Sequence, residues 1–204
     1  MIINSCKPMT NKVIVIASQN ANKIREFQEM LVPKGYEVHG AGDFEELAPV
    51  VETGQSFAEN AQIKAQAVSQ QLQQPVIADD SGLVVPAING EPGIYSARYA
   101  GDHDDVANNA KLLKKLAHAD DRNAYFHTTL VVMKPTGESL AVSGTLAGEI
   151  LTEPRGQNGF GYDPLFFVPA KQKTLAEMSA AEKNEISHRA QALRKLADKL
   201  DQWW

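Results

Sequence analysis

The chain has 204 residues, 43% of them hydrophobic and 22% charged, with a formal net charge of −5. A chain of that length buries roughly 70% of its unfolded surface in one core, or one core with two lobes, so it needs no disulfide or structural metal. The acidic balance argues against wholesale nucleic-acid binding, which calls for a basic face, yet leaves room for a small anionic ligand held by local Lys, Arg and backbone N–H groups. Cys6 is the one cysteine, which excludes a disulfide framework or Cys-based metal cluster and makes a reducing cytoplasm the expected compartment. The aliphatic run at 13–17 is far too short for a signal-peptide core or a membrane span, so no membrane association is expected.

Residues 13–17 have the pattern of a buried strand. Small polar residues follow, then Lys23, Ile24, Phe27, Met30 and Leu31 at helical spacing. Pro33 and Gly35 end that helix, a short strand is predicted over 36–40, and an acidic loop runs over 43–53. Ser56 with Glu59 makes a capping box, and Phe57, Ala61, Ala65, Val68 and Leu72 form the stripe of a second helix. The run 76–85 reads Val-Ile-Ala-Asp-Asp-Ser-Gly-Leu-Val-Val, predicted as strand, turn, strand. A turn-rich excursion around 89–93 leads to a third helix over 107–116. A hairpin of strands 125–133 and 139–151 closes at Pro135 to Gly137. A glycine-rich loop over 156–162, a short strand over 165–168 and a C-terminal helix with Ile186, Ala190, Leu193, Ala197 and Leu200 on one face complete the chain. Helices alternating with strands, plus one meander, predict a mixed α/β sheet.

The pair Asp79 and Asp80 carries the clearest chemical signal. Adjacent carboxylates repel each other and lose hydration beside a core, so a chain that keeps them there gives them a cation or a proton to handle. The alternative is a solvated turn, since Asp, Ser and Gly are turn residues anyway. Lys23, at a helix start after a polar loop, suits an anion, although ordinary strand-to-helix loops look alike and the Gly-rich Walker pattern is absent. Asn60 and Lys64 lie four apart on one helix face, and Glu52 just upstream could join the Asp pair at one cation. Carboxylates without clustered His or Cys suit a hard ion such as Mg²⁺, which keeps waters and takes substrate phosphates as ligands. The five histidines show no ligand spacing.

In the glycine-rich loop, Phe160 or Tyr162 could stack on a flat ligand with Asp163 as an acceptor, or the aromatics could simply fill core. Lys183, His188 and Arg189 supply donors near the C-terminus. In one unbroken helix Lys183 and His188 would point about 140° apart, unless Ser187 caps a new helix start. Carboxylates for Mg²⁺, several cationic points and a Gly-aromatic slot in one chain together describe a nucleoside triphosphate site.

These segments resemble the Ham1-like (inosine triphosphate pyrophosphatase) family, which removes non-standard purine nucleoside triphosphates. The resemblance runs in order from Val13 to Lys199, through Ala17-Ser-Gln-Asn-Ala-Asn-Lys23, Glu52-Thr-Gly-Gln-Ser-Phe-Ala-Glu-Asn-Ala61 with Lys64, Ala78-Asp-Asp-Ser-Gly-Leu83, Pro92-Gly-Ile-Tyr-Ser-Ala-Arg-Tyr99, Gly159-Phe-Gly-Tyr-Asp-Pro164, and Lys183 with Ser187-His-Arg189. It implies a long mixed β-sheet flanked by helices, two lobes with a substrate cleft between them, and a homodimer. A flexible extension over 1–10 would precede a single domain over 11–204.

By the same resemblance, Asp80 activates water, Glu52 and Asp80 hold Mg²⁺, and Ser81 contacts substrate. The nucleotide is bound by Ser18, Gln19, Asn20, Ala21, Asn22, Lys23, Lys64, Phe160, Gly161, Tyr162, Asp163, Lys183, His188 and Arg189. The implied reaction cleaves ITP, dITP or XTP between the α and β phosphates, giving a monophosphate and pyrophosphate. The family's usual Thr-Gly-Asn in the first loop is replaced by Ser18-Gln19-Asn20, so Gln19 removes any freedom for positive φ. The rival function is a nucleotide-binding sensor with the cleft and no chemistry. An aspartyl-nucleophile phosphatase ranks behind both, because adjacent acids on a strand point to opposite faces.

Overall fold

The computed structural model describes residues 12–44, 47–101 and 104–203; Cys6 and the extension expected over 1–10 lie outside them. Apolar β1 (Lys12–Ile16) pairs in parallel along its whole length with β2 (Tyr36–Gly40), the connection being helix α1 (Ala21–Leu31). On its other side β1 meets β3 (Val76–Val84) at only two positions, Val15↔Val76 and Ile16↔Ile77, and α2 (Phe57–Leu72) makes that crossover. From β3 onward the sheet is antiparallel through β4 (Asn123–Met133), β5 (Ser139–Ile150), β6 (Phe166–Val168) and the two-residue β7 (Lys173–Thr174). The result is the expected mixed sheet flanked by helices, seven strands in the order β2-β1-β3-β4-β5-β6-β7. β7 has no counterpart in the sequence pattern, because two residues are too few for a period to register.

The sheet has an apolar cluster on each face. Residues Ala61, Ala65 and Val68 of α2 pack on Val15, Val76, Ala78, Val131 and Met133. On the opposite face α1 supplies Phe27 and Leu31, and α5 (His188–Trp203) supplies Leu193, Leu196 and Leu200, against Ile14, Ile16, Ile77, Leu130 and Val132. Past these, Leu83, Phe126, Tyr162, Phe166 and Leu112 of α3 (Asp105–Lys115) form a third cluster.

The turn predicted at 79–82 is absent. β3 runs straight through it, paired with β4 as Asp79↔Leu130, Asp80↔Thr129, Ser81↔Thr128 and Gly82↔His127. An unbroken antiparallel ladder on one side outweighs the local turn preference of Asp, Ser and Gly. Gly82 serves close packing instead: a Cβ there would lie 2.3 Å from the Gly93 carbonyl oxygen and 2.6 Å from Ser96 Oγ. Alternation along the strand then sends Asp79 and Ser81 to the face of α1 and α5, and Asp80 to the face of α2.

Past Ile77 the β1 side of β3 has no strand partner among the described residues, and side chains meet it until Val84 bridges to Pro92. Lys64 Nζ donates to the Asp79 carbonyl at 2.9 Å, and Leu83 N–H donates to Ser96 Oγ at 2.9 Å. A crevice where parallel strands part company is a common place for a ligand in α/β proteins. Near the C-terminus the second of the two alternatives holds: the helix breaks at Ser187 into α4 (Ala180–Ile186) and α5, so Ile186 lies in α4 and not on the terminal helix, and the Ala190 N–H donates to Ser187 Oγ at 3.1 Å.

Candidate functional site

Asp79 is 1% exposed and carries several bonds to cationic and hydroxyl groups. Its carboxylate lies 2.9 Å from Lys23 Nζ and 3.3 Å from Arg189 Nη2, and it accepts from Ser81 Oγ at 2.9 Å. Burial alone would raise its pKa; the Lys23 ammonium, with Arg189 and Lys64, overrides that and holds Asp79 well below the ordinary carboxylate range. Arg189 is shared, its other nitrogen lying 2.5 Å from Glu26 Oε2. Ser81 Oγ is also 2.5 Å from Thr128 Oγ1 on β4.

Asp80, one residue on, has the opposite surroundings. It is 7% exposed, and among the described residues its carboxylate accepts one side-chain hydrogen bond, from Asn60 Nδ2 at 3.3 Å, while its carbonyl accepts from Thr128 Oγ1 at 3.4 Å. Burial pushes its pKa up to about 6; Lys64 opposes the rise, and the nearby charge of Glu52 adds to it. Glu52 is delivered by the turn into α2, where Gly54 N–H donates to Asn60 Oδ1 at 2.8 Å and Lys64 Nζ lies 3.1 Å from Glu52 Oε1. The expectation that both Asp carboxylates share one cation is therefore corrected. Strand alternation separates them, so Asp80 faces Glu52 while Asp79 is neutralised by Lys23 and Arg189.

Two acids close enough for one to raise the other's pKa, with the Lys64 ammonium paired to Glu52, favour positive charge at that spot. Among the described residues no group of three or more His, Cys, Asp or Glu could hold a metal ion. A two-carboxylate set fits Mg²⁺, which completes its shell with water and phosphate oxygens, and does not fit a caged structural ion.

The first loop departs from the expected row of free donors. Asn20 caps α1, its side chain accepting from the N–H groups of Asn22 and Lys23, and Ser18 Oγ accepts from Asn20 N–H at 3.1 Å. An anion here meets the Lys23 ammonium and the helix dipole with two amides already satisfied. Ala21 and Gln19 are exposed. Among the described residues the non-glycine positions with positive φ are Gln73, Asn89 and Gln172, so Gln19 sits in ordinary backbone.

In the glycine-rich loop the two aromatics part. Tyr162 is 4% exposed in the core, its hydroxyl donating to the Ser96 carbonyl at 2.8 Å, so its ring fills core and is not offered for stacking. Phe160 is half-buried, with Lys183 Nζ 4.7 Å from its ring centroid. Asp163 Oδ2 accepts from Lys183 Nζ at 2.6 Å and from Phe160 N–H at 2.9 Å. His188 stacks on Phe126 with centroids 4.8 Å apart and planes 11° from parallel. Burial, then the charges of Arg189 and Lys183, hold its pKa well below the ordinary value, and its buried Nδ1 has no hydrogen-bond partner.

A model of the Ham1 family matches residues 14–199. The chain belongs to the Ham1 family. It is 54% identical to the dITP/XTP pyrophosphatase of Lactiplantibacillus plantarum over 97% of this chain and 98% of that one, and 50% identical to the dITP/XTP pyrophosphatase of Bacillus licheniformis over 94% and 99%. The solved Ham1 protein of Staphylococcus aureus superposes with a TM-score of 0.86 at 46% identity, covering 95% of this chain and 100% of that one. A dITP/XTP pyrophosphatase from Mycobacterium abscessus superposes at 0.75 with 40% identity, over 90% and 97%.

Every side chain described above lies inside the Ham1 match. Sequence reasoning missed Glu26 and Thr128. Glu26 sits three residues after Lys23, so helical spacing placed it on the Lys23 face. Thr128 gives no such signal, since only the β3–β4 register brings it to Ser81.

Proposed function

We propose that this chain hydrolyses non-canonical purine nucleoside triphosphates, dITP, XTP and ITP, to the monophosphate and pyrophosphate, and so clears them from the nucleotide pool. The carrying observation is Asp80: a desolvated carboxylate with a pKa of about 6, beside a second acid and an ammonium, on an open strand edge. A carboxylate lifted to that range is a competent general base near neutral pH. Asp80 takes a proton from water, the water oxygen bonds to phosphorus in line, and the α–β anhydride bond breaks with its electrons leaving on pyrophosphate. In this reading Lys64 and Lys23 neutralise the charge that develops on the leaving group. Glu52 and Asp80 would hold Mg²⁺, which when bound supplies further charge neutralisation at the phosphates.

In this reading the substrate lies in a cleft between two lobes. Phe160 stacks on the purine, and neutral His188 and Arg189 present hydrogen-bonding atoms to its edge. A donor facing O6 of a 6-keto purine would strand both partners when adenine enters, which gives selectivity against ATP. The proposal extends to a homodimer working in the cytoplasm. A sensor without chemistry has no use for a carboxylate held near pH 6, which favours the enzyme. The test is ³¹P NMR of ITP turnover with Mg²⁺: pyrophosphate and IMP are the expected products, and orthophosphate or no turnover overturns the reading.

A further inference from the structure

We infer that Asp105 and Asn109 of α3 are positioning residues for the purine-stacking loop, a pair that grips the Gly161 backbone and so presents Phe160 to the base. The inference rests on the nucleotide reading above. Asp105 and Asn109 are four apart and share one helix face. Gly161 N–H donates to Asp105 Oδ2 at 2.7 Å, and the Gly161 carbonyl accepts from Asn109 Nδ2 at 2.9 Å. Both polar groups of one loop residue are therefore held by one helix. Gly161 has a φ of +63°, and a Cβ built there would meet nothing within 4 Å, so side-chain packing does not hold the loop at this point.

The other flank of Phe160 is tied by its own N–H to Asp163, which is paired in turn with Lys183. Its backbone is thus pinned on both sides, with Lys183 over the ring. The helix is a firm base for such a grip. Asp104 caps it by accepting from Ala107 N–H at 2.9 Å, and Asn108 Oδ1 accepts from Ala100 N–H at 2.6 Å. Asn109 Oδ1 is buried with no hydrogen-bond partner, so the Gly161 carbonyl alone orients that amide. A stacking ring whose neighbouring backbone is already held by Asp105 and Asn109 favours a flat ligand, because the loop is ordered in the free protein and not on binding.

Steady-state kinetics with ITP test the grip. Asp105→Ala and Asn109→Ala should each raise KM about fivefold, the loss of one solvent-screened hydrogen bond, with kcat within about twofold. Asp105→Asn keeps an acceptor while removing the charge and should restore KM. Asn109→Asp sets a carboxylate against a carbonyl and should not. Amide hydrogen exchange of the ligand-free protein supplies a readout without substrate: Gly161 N–H should exchange faster in Asp105→Ala and at the wild-type rate in Asp105→Asn. Unchanged exchange overturns the grip. Faster exchange with unchanged KM overturns its positioning role. A wild-type protein that ignores ITP refutes the nucleotide reading, and the purpose given to the grip with it, whatever the exchange data show.

Discussion

The two faces of β3 give two consecutive aspartates opposite electrostatic fates. On the α1 and α5 face, Asp79 is met by Lys23, Arg189 and Ser81 and is held ionised below the ordinary range. On the α2 face, the Asp80 carboxylate is met by the Asn60 amide with a second acid nearby, and burial lifts it to about 6. Pairs of titratable groups pushed apart in this way separate structural from reactive roles. Asp79 locks the β3 strand to α1 and α5, while Asp80 is left short of positive charge and free to take a proton or a cation.

The contrast can be broken by exchanging one face at a time. Asp80→Asn should lower kcat by about 10²–10⁴-fold while nucleotide still binds, because a general base is lost and the shape is kept; calorimetry beside turnover checks both halves. Asp79→Ala strands Lys23 and leaves buried Arg189 with Glu26 as its carboxylate partner, and should cost about 3–5 kcal/mol of stability in urea unfolding. A stable Asp79→Ala protein would show that the locking role is misassigned. The Asp79 contribution, belonging to a lowered pKa, is present at neutral pH and is lost as pH falls through and below the ordinary carboxylate range.

Smaller shifts sharpen the comparison. If Asp80 is the base, kcat/KM should rise with pH through the Asp80 pKa, which bound Mg²⁺ draws below its metal-free value of about 6, and then level. In the metal-free protein Glu52→Gln removes a charge that raises Asp80, so the Asp80 carboxyl, followed by NMR, should titrate at lower pH; an unmoved titration separates Glu52 from Asp80. For stability the sign reverses relative to Asp79. A raised carboxylate favours the folded state when protonated, so its contribution fades as pH climbs from 3.8 through about 6. By that shift, ionising Asp80 costs the metal-free protein about 3 kcal/mol. Mg²⁺ should accordingly raise Tm more at pH 7 than at pH 5, and equal increments would place the ion elsewhere.

Much of the sheet was legible because its period survives in sequence. The strand at 36–40, the second helix and the β4–β5 hairpin all sit within two residues of where alternation and caps put them. The break at Ser187 was legible from the geometry of a helix, since Lys183 and His188 could not otherwise face one site. What sequence could not give was partnership across distance. Asp79 had no assignable job until β3 brought it to Arg189, 110 positions away. The local signal at Asp-Asp-Ser-Gly even misled, because turn propensity is local and ladder pairing is not. Tyr162 and Phe160 are equivalent aromatics on paper, and only packing against Ser96 separates the ring that fills core from the one left half-buried.

The unbroken register of β3 makes this strand a reading frame of its own. With a side-chain period of two, one residue inserted or deleted between Ile77 and Asp79 would carry each aspartate to the other's side. Lys23 and Arg189 would face the reactive acid and Glu52 the locking one, with composition almost unaltered. Substitutions here are graded in their damage, whereas a single-codon insertion or deletion is categorical. Length, more than identity, is what this stretch has least freedom to vary.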